Sequence, residues 1–255
     1  MKFRILNITN ILALAMLLLV NHFSTVPVMY FALLELTYLS LIFFGCINIS
    51  WGFFMPVLCA GKTNEHCIAL SFDDGPNSYT GQILDTLNVR GVPATFFCIG
   101  KNISGSEPLL QRMMAEGHVV GNHSYSHHFW FDMFSAERML ADMRQMDEEV
   151  TRVTGLKPLL FRPPYGVMNP TLKKAIVKSG YTPIGWSIRS FDTTIKDEQK
   201  LLTRIMRQVK PGAIILLHDS MPITATILPA LITQIKNRGY KIVRLDKMLN
   251  IPAYA

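Results

Sequence analysis

Short apolar runs recur along the last three quarters of this chain, and they constrain its fold more than any other feature. Helical patterns such as 135–153 and 197–209 lie between the runs. Alternation of strand-like and helical segments is typical of βα units. The strand-like runs lie at 67–72, 93–98, 118–121, 158–161, 181–188, 213–217 and 241–245. We therefore predict an α/β domain over residues 65–250, a length that suffices for one barrel of this class.

Polar clusters follow four of the apolar runs. They read SFDDGP at 71–76, HSYSH at 123–127, RPPY at 162–165 and LLHD at 216–219. The first cluster places Asp73 and Asp74 at the tip of a buried strand. Adjacent side chains on an extended chain point to opposite sides, so one carboxylate can bind a cation while the other acts as a base. Taken alone, this motif also fits an Asp-Gly turn with solvated carboxylates.

The second cluster contains two histidines with the spacing i, i+4. His123 and His127 can meet one ion from a single helical turn or a compact loop. Two imidazoles and one carboxylate leave coordination positions for water, which a catalytic metal site requires. His128 is interpreted as a bystander, because contiguous histidines cannot easily share an ion. Such ligands suit zinc, and cobalt or nickel would also serve.

The four clusters, in this order, resemble the polysaccharide deacetylase family, also called the NodB-homology or carbohydrate esterase family 4 domain. The resemblance covers roughly residues 65–250. It implies a distorted (β/α) barrel with its site at the carboxyl ends of the strands. It also implies hydrolysis of N-acetyl groups from amino-sugar polymers with one divalent metal ion, Zn²⁺ being expected and Co²⁺ or Ni²⁺ the alternatives.

The resemblance also assigns roles to individual residues. Asp73 would be the catalytic base and His218 the general acid. Arg162 would orient Asp73, and Asp192 would pair with His218. The backbone N–H of Tyr165 would lie in the oxyanion site. The metal ligands would be Asp74, His123 and His127. The substrate would contact Pro163, Tyr165, Trp186 and Leu217. Of these, Trp186 and Leu217 would form the walls around the acetyl methyl.

One cluster departs from the family pattern. The usual Asp-x-x-Asp-Trp motif is replaced by RSFDT at 189–193. Asp192 is kept, but Arg189 replaces the first Asp and Thr193 replaces the Trp. The missing Trp is expected to change the sugar-binding wall, so the substrate is less firmly implied than the reaction. Whether Arg189 is simply a salt-bridge partner is left open by the sequence.

The first 60 residues differ in kind from the rest. Segments 5–20 and 27–48 are nearly free of charge, and the simplest interpretation is a transmembrane hairpin that anchors the enzyme. The first segment also fits a signal-peptide core, although no convincing cleavage site follows. Glu35 lies inside the second segment, where an ionisable group is costly. Its presence indicates a partner or a lipid headgroup, or snorkelling toward an interface. Residues 51–59 are expected in the membrane interface, before a soluble domain that begins near Lys62.

The side of the membrane is not settled by the sequence. Lys2 and Arg4 favour a cytoplasmic N-terminus, so two spans would return the domain to the cytoplasm and one span would export it. The cysteines fit either compartment, with Cys59 and Cys67 near enough in sequence for a bridge.

Three functions are compatible with the chain. The leading hypothesis is a multi-pass, membrane-anchored, metal-dependent deacetylase of N-acetylated glycans such as peptidoglycan, chitin-like polymers or lipid-linked oligosaccharides. The alternatives are a deformylase of a lipid-linked amino sugar and a catalytically silent glycan-binding protein, against which the retained Asp73 argues. The 25 Lys and Arg outnumber the 18 Asp and Glu. No aromatic-interleaved basic stripe accompanies these charges, which argues against nucleic acid as a partner.

Overall fold

A computed structural model describes residues 2–255 of the chain. The helices are α1 (Lys2–Phe23), α2 (Val28–Ile47), α3 (Thr80–Arg90), α4 (Glu107–Ala115), α5 (Ala136–Thr154), α6 (Pro170–Ser179), α7 (Glu198–Met206), α8 (Pro222–Asn237) and α9 (Leu245–Leu249). The strands are β1 (Cys67–Asp73), β2 (Thr95–Cys98), β3 (Val119–Asn122), β4 (Leu160–Phe161), β5 (Thr182–Pro183), β6 (Ile188–Arg189), β7 (Ile214–His218) and β8 (Lys241–Ile242).

The strands form a curled parallel half-barrel with β1 near its centre. The order is β5-β4-β3-β2-β1-β7-β6, and β8 also pairs with β1. Asp73 at the end of β1 is in register with Phe97 of β2 and His218 of β7. Because all the pairings are parallel, the carboxyl ends of the strands meet at one edge. The predicted α/β fold of the barrel type is confirmed.

Alternation along β1 determines which side chains reach the interior of the half-barrel. Ile68, Leu70 and Phe72 belong to one buried apolar cluster, which includes residues of the surrounding helices. Ser71 and Asp73 point to the opposite face because successive strand residues alternate. The strand is buried along its whole length. The same pattern that builds the core therefore carries a hydroxyl and a carboxylate into the interior.

The apolar character of residues 181–188 predicts one strand. The structure instead has two short strands there, β5 and β6, separated by a gap. The chain just after the helical hairpin fills this gap. Leu58 forms a parallel bridge with Ile184, and Ala60 forms an antiparallel bridge with Ala213. The Gly185 N–H donates to the Leu58 carbonyl at 2.9 Å. The barrel wall thus begins at Leu58 and not near Lys62.

Residues 51–59 were expected to form a separate interfacial segment, but they do not. Phe53 and Phe54 are buried, in the same apolar cluster as Phe131 and Phe161 of the α/β domain. Burial in this cluster removes a large apolar area of both rings from water, which explains the difference. The Cys59–Cys67 bridge that the sequence allows is not formed, since all four cysteines are free.

The first two helices form an antiparallel hairpin joined by polar contacts. Asn10 Nδ2 donates to Glu35 Oε1 at 3.2 Å, and the Tyr38 hydroxyl donates to Asn7 Oδ1 at 3.1 Å. Glu35 therefore has a partner inside the hairpin. Both helices are long and apolar enough to cross a membrane, a test that a signal sequence also passes.

The open end of the hairpin contacts the α/β domain. The Phe3 N–H donates to the Phe53 carbonyl at 3.2 Å, and the Lys2 ammonium donates to the Trp51 carbonyl at 2.6 Å. From the other helix, the Cys46 carbonyl accepts from the Met168 N–H at 2.9 Å. The start of α1 and the end of α2 thus lie at the same end of the hairpin, against the barrel.

Candidate active site

A buried ion pair lies at the carboxyl end of β1. Arg162 Nη1 donates to Asp73 Oδ1 at 2.7 Å and to the Ser71 hydroxyl at 2.9 Å. Arg162 Nη2 donates to the Gly185 carbonyl at 2.9 Å, and the guanidinium lies 4.1 Å from the centre of the Phe97 ring. Arg162 is fully buried. These contacts hold the Asp73 carboxylate in one orientation and leave its second oxygen free.

The environment of Asp73 tunes it as a base. Burial raises the pKa of the Asp73 carboxyl, and the positive charge of Arg162 partly opposes this effect. A base with a raised pKa accepts a proton more readily than an ordinary aspartate, and the charge of Arg162 favours the ionised form.

Asp74, His123 and His127 form a group that can hold a metal ion. Asp74 Oδ1 lies 3.6 Å from His123 Nε2 and 3.5 Å from His127 Nε2. Three ligand atoms on a tetrahedral zinc ion are about 3.4 Å apart when each bond is about 2.1 Å. The spacing therefore fits a zinc-like ion. Asp74 has φ 77°, a left-handed turn that directs its carboxylate toward the histidines and away from Asp73.

The tautomer of His123 is set by its second ring nitrogen. His123 Nδ1 lies 2.7 Å from the Arg162 carbonyl, which can only accept, so Nδ1 carries the proton and Nε2 is free to bind a cation. Burial lowers the pKa of His123 to about 3, so its ring is neutral over the whole working range. Arg162 thus orients the base through its side chain and one metal ligand through its backbone.

His218, at the end of β7, is held by Asp192. His218 Nδ1 donates to Asp192 Oδ1 at 2.7 Å, and the His218 N–H donates to Asp192 Oδ2 at 2.7 Å. The hydroxyls of Ser190 and Thr224 also donate to this carboxylate, at 2.9 Å and 2.6 Å. Burial alone would lower the pKa of His218, but the hydrogen bond and charge of Asp192 outweigh it and raise the pKa to about 9. His218 is therefore protonated at neutral pH, as a general acid must be.

The two carboxylates of Asp73 and Asp74, the histidine pair and His218 line one cavity of about 210 Å³. Tyr165 lies on its wall with φ 58°, and its ring centre is 4.8 Å from that of His127. Within residues 2–255, the Tyr165 N–H donates to no carbonyl or side chain beyond its own turn. A free N–H beside the metal group is suited to stabilising an oxyanion. Trp186 forms another part of the wall.

The position of Leu217 differs from the prediction. Leu217 is fully buried in the apolar cluster between the sheet and the helices, and Leu216 lines the cavity instead. The reason is alternation along β7: Leu216 and His218 share one face, and Leu217 points to the other. Pro163 was also predicted to contact the substrate, but it is buried and does not line the cavity. In this segment the cavity wall is formed by Tyr165 and Gly166.

Sequence reasoning missed residues that support the site from behind. Ser71 bridges to Arg162, and Thr224 donates to Asp192. Ser71 was detectable, since it shares a strand face with Asp73 at spacing i, i+2. Thr224 lies in α8, far along the chain from Asp192, and no local pattern marks it.

The segment 189–193, which differs from the usual family motif, also lies at the cavity. Arg189 and Thr193 both line the cavity wall. Arg189 packs over the Phe191 ring at 4.9 Å from its centre and forms no salt bridge in the part of the chain that the structure describes. The salt-bridge interpretation of Arg189 is therefore not supported.

Comparisons with known proteins agree with the geometry. The family model for polysaccharide deacetylase matches residues 60–184. Peptidoglycan-N-acetylmuramic acid deacetylase PdaA of Bacillus subtilis is 34% identical over 194 residues, 74% of this chain and 73% of PdaA. Peptidoglycan-N-acetylglucosamine deacetylase PgdA of Listeria monocytogenes is 34% identical over 195 residues, 76% of this chain but only 41% of PgdA. The solved structure of peptidoglycan deacetylase PdaC from Bacillus subtilis superposes with a TM-score of 0.68 at 32% identity, covering 72% of this chain and 90% of that chain.

The chain belongs to the polysaccharide deacetylase family, the NodB-homology or carbohydrate esterase family 4, and is a hydrolase of that family. The region matched by the family model, residues 60–184, ends before Trp186, Asp192 and His218. These residues nevertheless lie at the same site as Asp73.

Removing any one of the metal-binding side chains should remove the metal. We expect Asp74→Ala, His123→Ala and His127→Ala each to lose the stoichiometric transition metal and the activity together, because three ligands are needed for a stable catalytic site. Metal analysis of the purified variants checks this. His128→Ala removes the adjacent imidazole and should keep the metal. A wild-type enzyme that stays fully active after exhaustive chelation would contradict the assignment.

Neutralising Asp192 should shift the pH dependence of the reaction. His218 acts only when protonated, so activity falls as the pH rises through its pKa. Asp192→Asn removes the carboxylate that raises this pKa, and the alkaline limb of kcat/KM should move down by about 1 to 3 pH units, with metal content unchanged. Asp197→Asn, a helix-capping carboxylate on the surface, is the matched control. An alkaline limb that does not move in Asp192→Asn would mean that Asp192 does not tune His218.

Proposed function

We propose that this protein is a membrane-anchored, zinc-dependent hydrolase that removes N-acetyl groups from an amino-sugar glycan. The observation that carries the proposal is the convergence of a base, a metal-binding group and an acid in one cavity. Asp73 ends β1, the histidine pair follows β3, and His218 ends β7. An amide is a poor electrophile, so its hydrolysis needs all three groups.

Asp74, His123 and His127 would hold the ion. When bound, it polarises the substrate carbonyl and lowers the pKa of a nearby water. The free oxygen of Asp73 takes the proton of the attacking water, because Arg162 occupies the other oxygen. The Tyr165 N–H donates to the developing oxyanion. His218 gives its Nε2 proton to the departing amine, while Nδ1 remains hydrogen-bonded to Asp192.

The glycan-binding alternative predicts no need for these proton-transfer groups. A binding module gains nothing from burying Asp73 against Arg162, which carries a desolvation cost. The deformylase alternative remains within the same reaction class, because the cavity that takes an acetyl group also admits the smaller formyl group. A substrate panel separates these cases.

The test measures acetate and formate released from peptidoglycan fragments, chitin oligomers and lipid-linked sugars. We expect the wild-type protein to release acetate from at least one N-acetylated substrate. Asp73→Asn should bind metal normally while its turnover falls by about 10² to 10⁴. Asp85→Asn removes a surface carboxylate paired with Arg112 and should leave turnover unchanged. No acetate or formate from any substrate would exclude the proposed reaction, and loss of metal in Asp73→Asn would make Asp73 a ligand.

We further propose that the hairpin spans the membrane and that the catalytic domain faces the cytoplasm. Lys2 and Arg4 lie at the end of the hairpin that contacts the domain, whereas the connecting turn at 24–27 contains no Lys or Arg. Positive charges favour the cytoplasmic side. Both ends of the hairpin meet the domain, which supports two crossings over one.

A reporter that is active only outside the cytoplasm tests this topology. Fusion after Ser24 should give activity, because that turn would be exported. Fusion after Lys62 should give none, because the second helix returns the chain. Activity at Lys62 would show that only one helix crosses and that the domain is exported. Loss of the first segment from the mature protein would identify it as a signal peptide.

A further inference from the structure

A second cavity, of about 470 Å³, adjoins the catalytic cavity. The two share Trp186 and Arg189 as walls. On its other side the second cavity is bounded by residues 47–50, where α2 ends. It therefore lies between the reacting centre and the end of the proposed membrane hairpin. We refer to it as the junction cavity.

Every charged residue that lines the junction cavity is basic. These residues are Arg189, Arg204 and Lys210, and no acidic residue contributes to the wall. In the part of the chain that the structure describes, neither arginine forms a salt bridge with a carboxylate. An unneutralised group of cations in a concave site attracts an anion.

The two arginines pack against the same aromatic ring. The guanidinium carbon of Arg204 lies 4.4 Å from the centre of the Phe191 ring, and that of Arg189 lies 4.9 Å from it. Phe191 has φ 65°, a conformation that a residue of its size adopts only under constraint. The Nε atom of Arg204 is buried without a hydrogen-bond partner. Like charges gathered in this way repel each other unless an anion joins them.

The position of the cavity defines what the anion is attached to. Because the two cavities share Trp186 and Arg189, a substrate with its N-acyl group beside the metal-binding residues would extend past Trp186 into the junction cavity. Beyond the cavity, the apolar surface of α2 continues into the proposed membrane segment. A ligand that reached across these three regions would have an amide at one end, an anion in the middle and a hydrocarbon at the other. Guanidinium groups match the oxygens of phosphate in geometry and charge.

We propose that the substrate is an N-acylated amino sugar joined through a phosphate to a long-chain lipid, with Arg204 and Arg189 binding the phosphate. This inference rests on the proposed function, since it extends the same catalytic site. It also gives a use to Arg189, which replaces an acidic residue of the family motif: a carboxylate at this position would repel the phosphate.

The test compares two substrates that differ only in the anion. The full-length protein in detergent is given N-acetylglucosamine linked to farnesyl through a phosphate, and N-acetylglucosamine linked directly to farnesol as a neutral glycoside. Acetate release gives kcat/KM for each. In the wild-type protein the phosphate-linked substrate should be preferred by at least about tenfold, the size expected for hydrogen bonds between charged groups.

Arg204→Gln is the informative variant, because Arg204 lines the junction cavity but not the catalytic one. The ratio of the two kcat/KM values should fall by about 10- to 100-fold. Arg207→Gln removes an equal charge from the end of the same helix, outside the junction cavity, and should keep the ratio within about twofold of the wild-type value. This control separates a local contact from a change in net charge.

The outcomes distinguish the inference from the proposed function. Acetate from both substrates with equal kcat/KM in the wild-type protein, unchanged in Arg204→Gln, would overturn the phosphate site and leave the deacetylase intact. No acetate from these substrates or from any member of the panel would overturn the proposed function itself. If Arg204→Gln weakened binding to phosphatidylglycerol vesicles but left the substrate ratio unchanged, the cavity would hold a membrane phospholipid headgroup, and the substrate assignment would be wrong.

Discussion

The buried ion pair between Arg162 and Asp73 is the interaction on which the rest of the site depends. Leaving either charge buried without its partner would cost about 3 to 5 kcal/mol. The surrounding structure offsets the desolvation of the pair with the Ser71 hydroxyl, the Gly185 carbonyl and the face of Phe97. The Arg162 carbonyl also fixes the tautomer of His123. One residue at the end of β4 thus positions both the base and a metal ligand.

Two pairs of chemically identical side chains take different parts in the proposed reaction because their surroundings differ. Asp73 faces a guanidinium, whereas Asp74 faces two imidazoles. The pKa of His123 is lowered to about 3 by burial, while that of His218 is raised to about 9 because Asp192 outweighs its burial. Separating the pKa values of like groups in this way keeps one imidazole neutral for metal binding and the other protonated as an acid.

The sequence predicted those parts of the site that depend on local spacing. Adjacent carboxylates at a strand end and histidines four residues apart indicated a metal site beside a separate base, and the family resemblance assigned these roles to individual residues. The structure brings Asp73, Asp74 and the two histidines to one cavity. The prediction that Leu217 lines the acetyl pocket was wrong by one residue. A continuous apolar run such as 213–217 does not reveal which of its alternate residues face the cavity. Leu216 shares the face of His218, and this parity rule would have identified it.

Contacts between distant parts of the chain were not predictable from local pattern. Leu58 and Ala60 complete the barrel wall where β5 and β6 separate, and nothing in their own segment indicates this. Phe53 and Phe54 resemble interfacial aromatic residues but are buried in the domain core. The basic junction cavity likewise arises only when the end of α2, the 186–191 segment and α7 come together. Such features depend on the tertiary fold and have no one-dimensional signal.

Anomalous diffraction from crystals of the metal-loaded protein tests the central claim most directly. The account predicts one ion within about 2.2 Å of a carboxylate oxygen of Asp74 and of the Nε2 atoms of His123 and His127. The Asp73 carboxylate should remain on Arg162, outside the coordination sphere. An ion coordinated by Asp73, or one bound away from the histidine pair, would contradict the separation of base and metal ligands on which the mechanism depends.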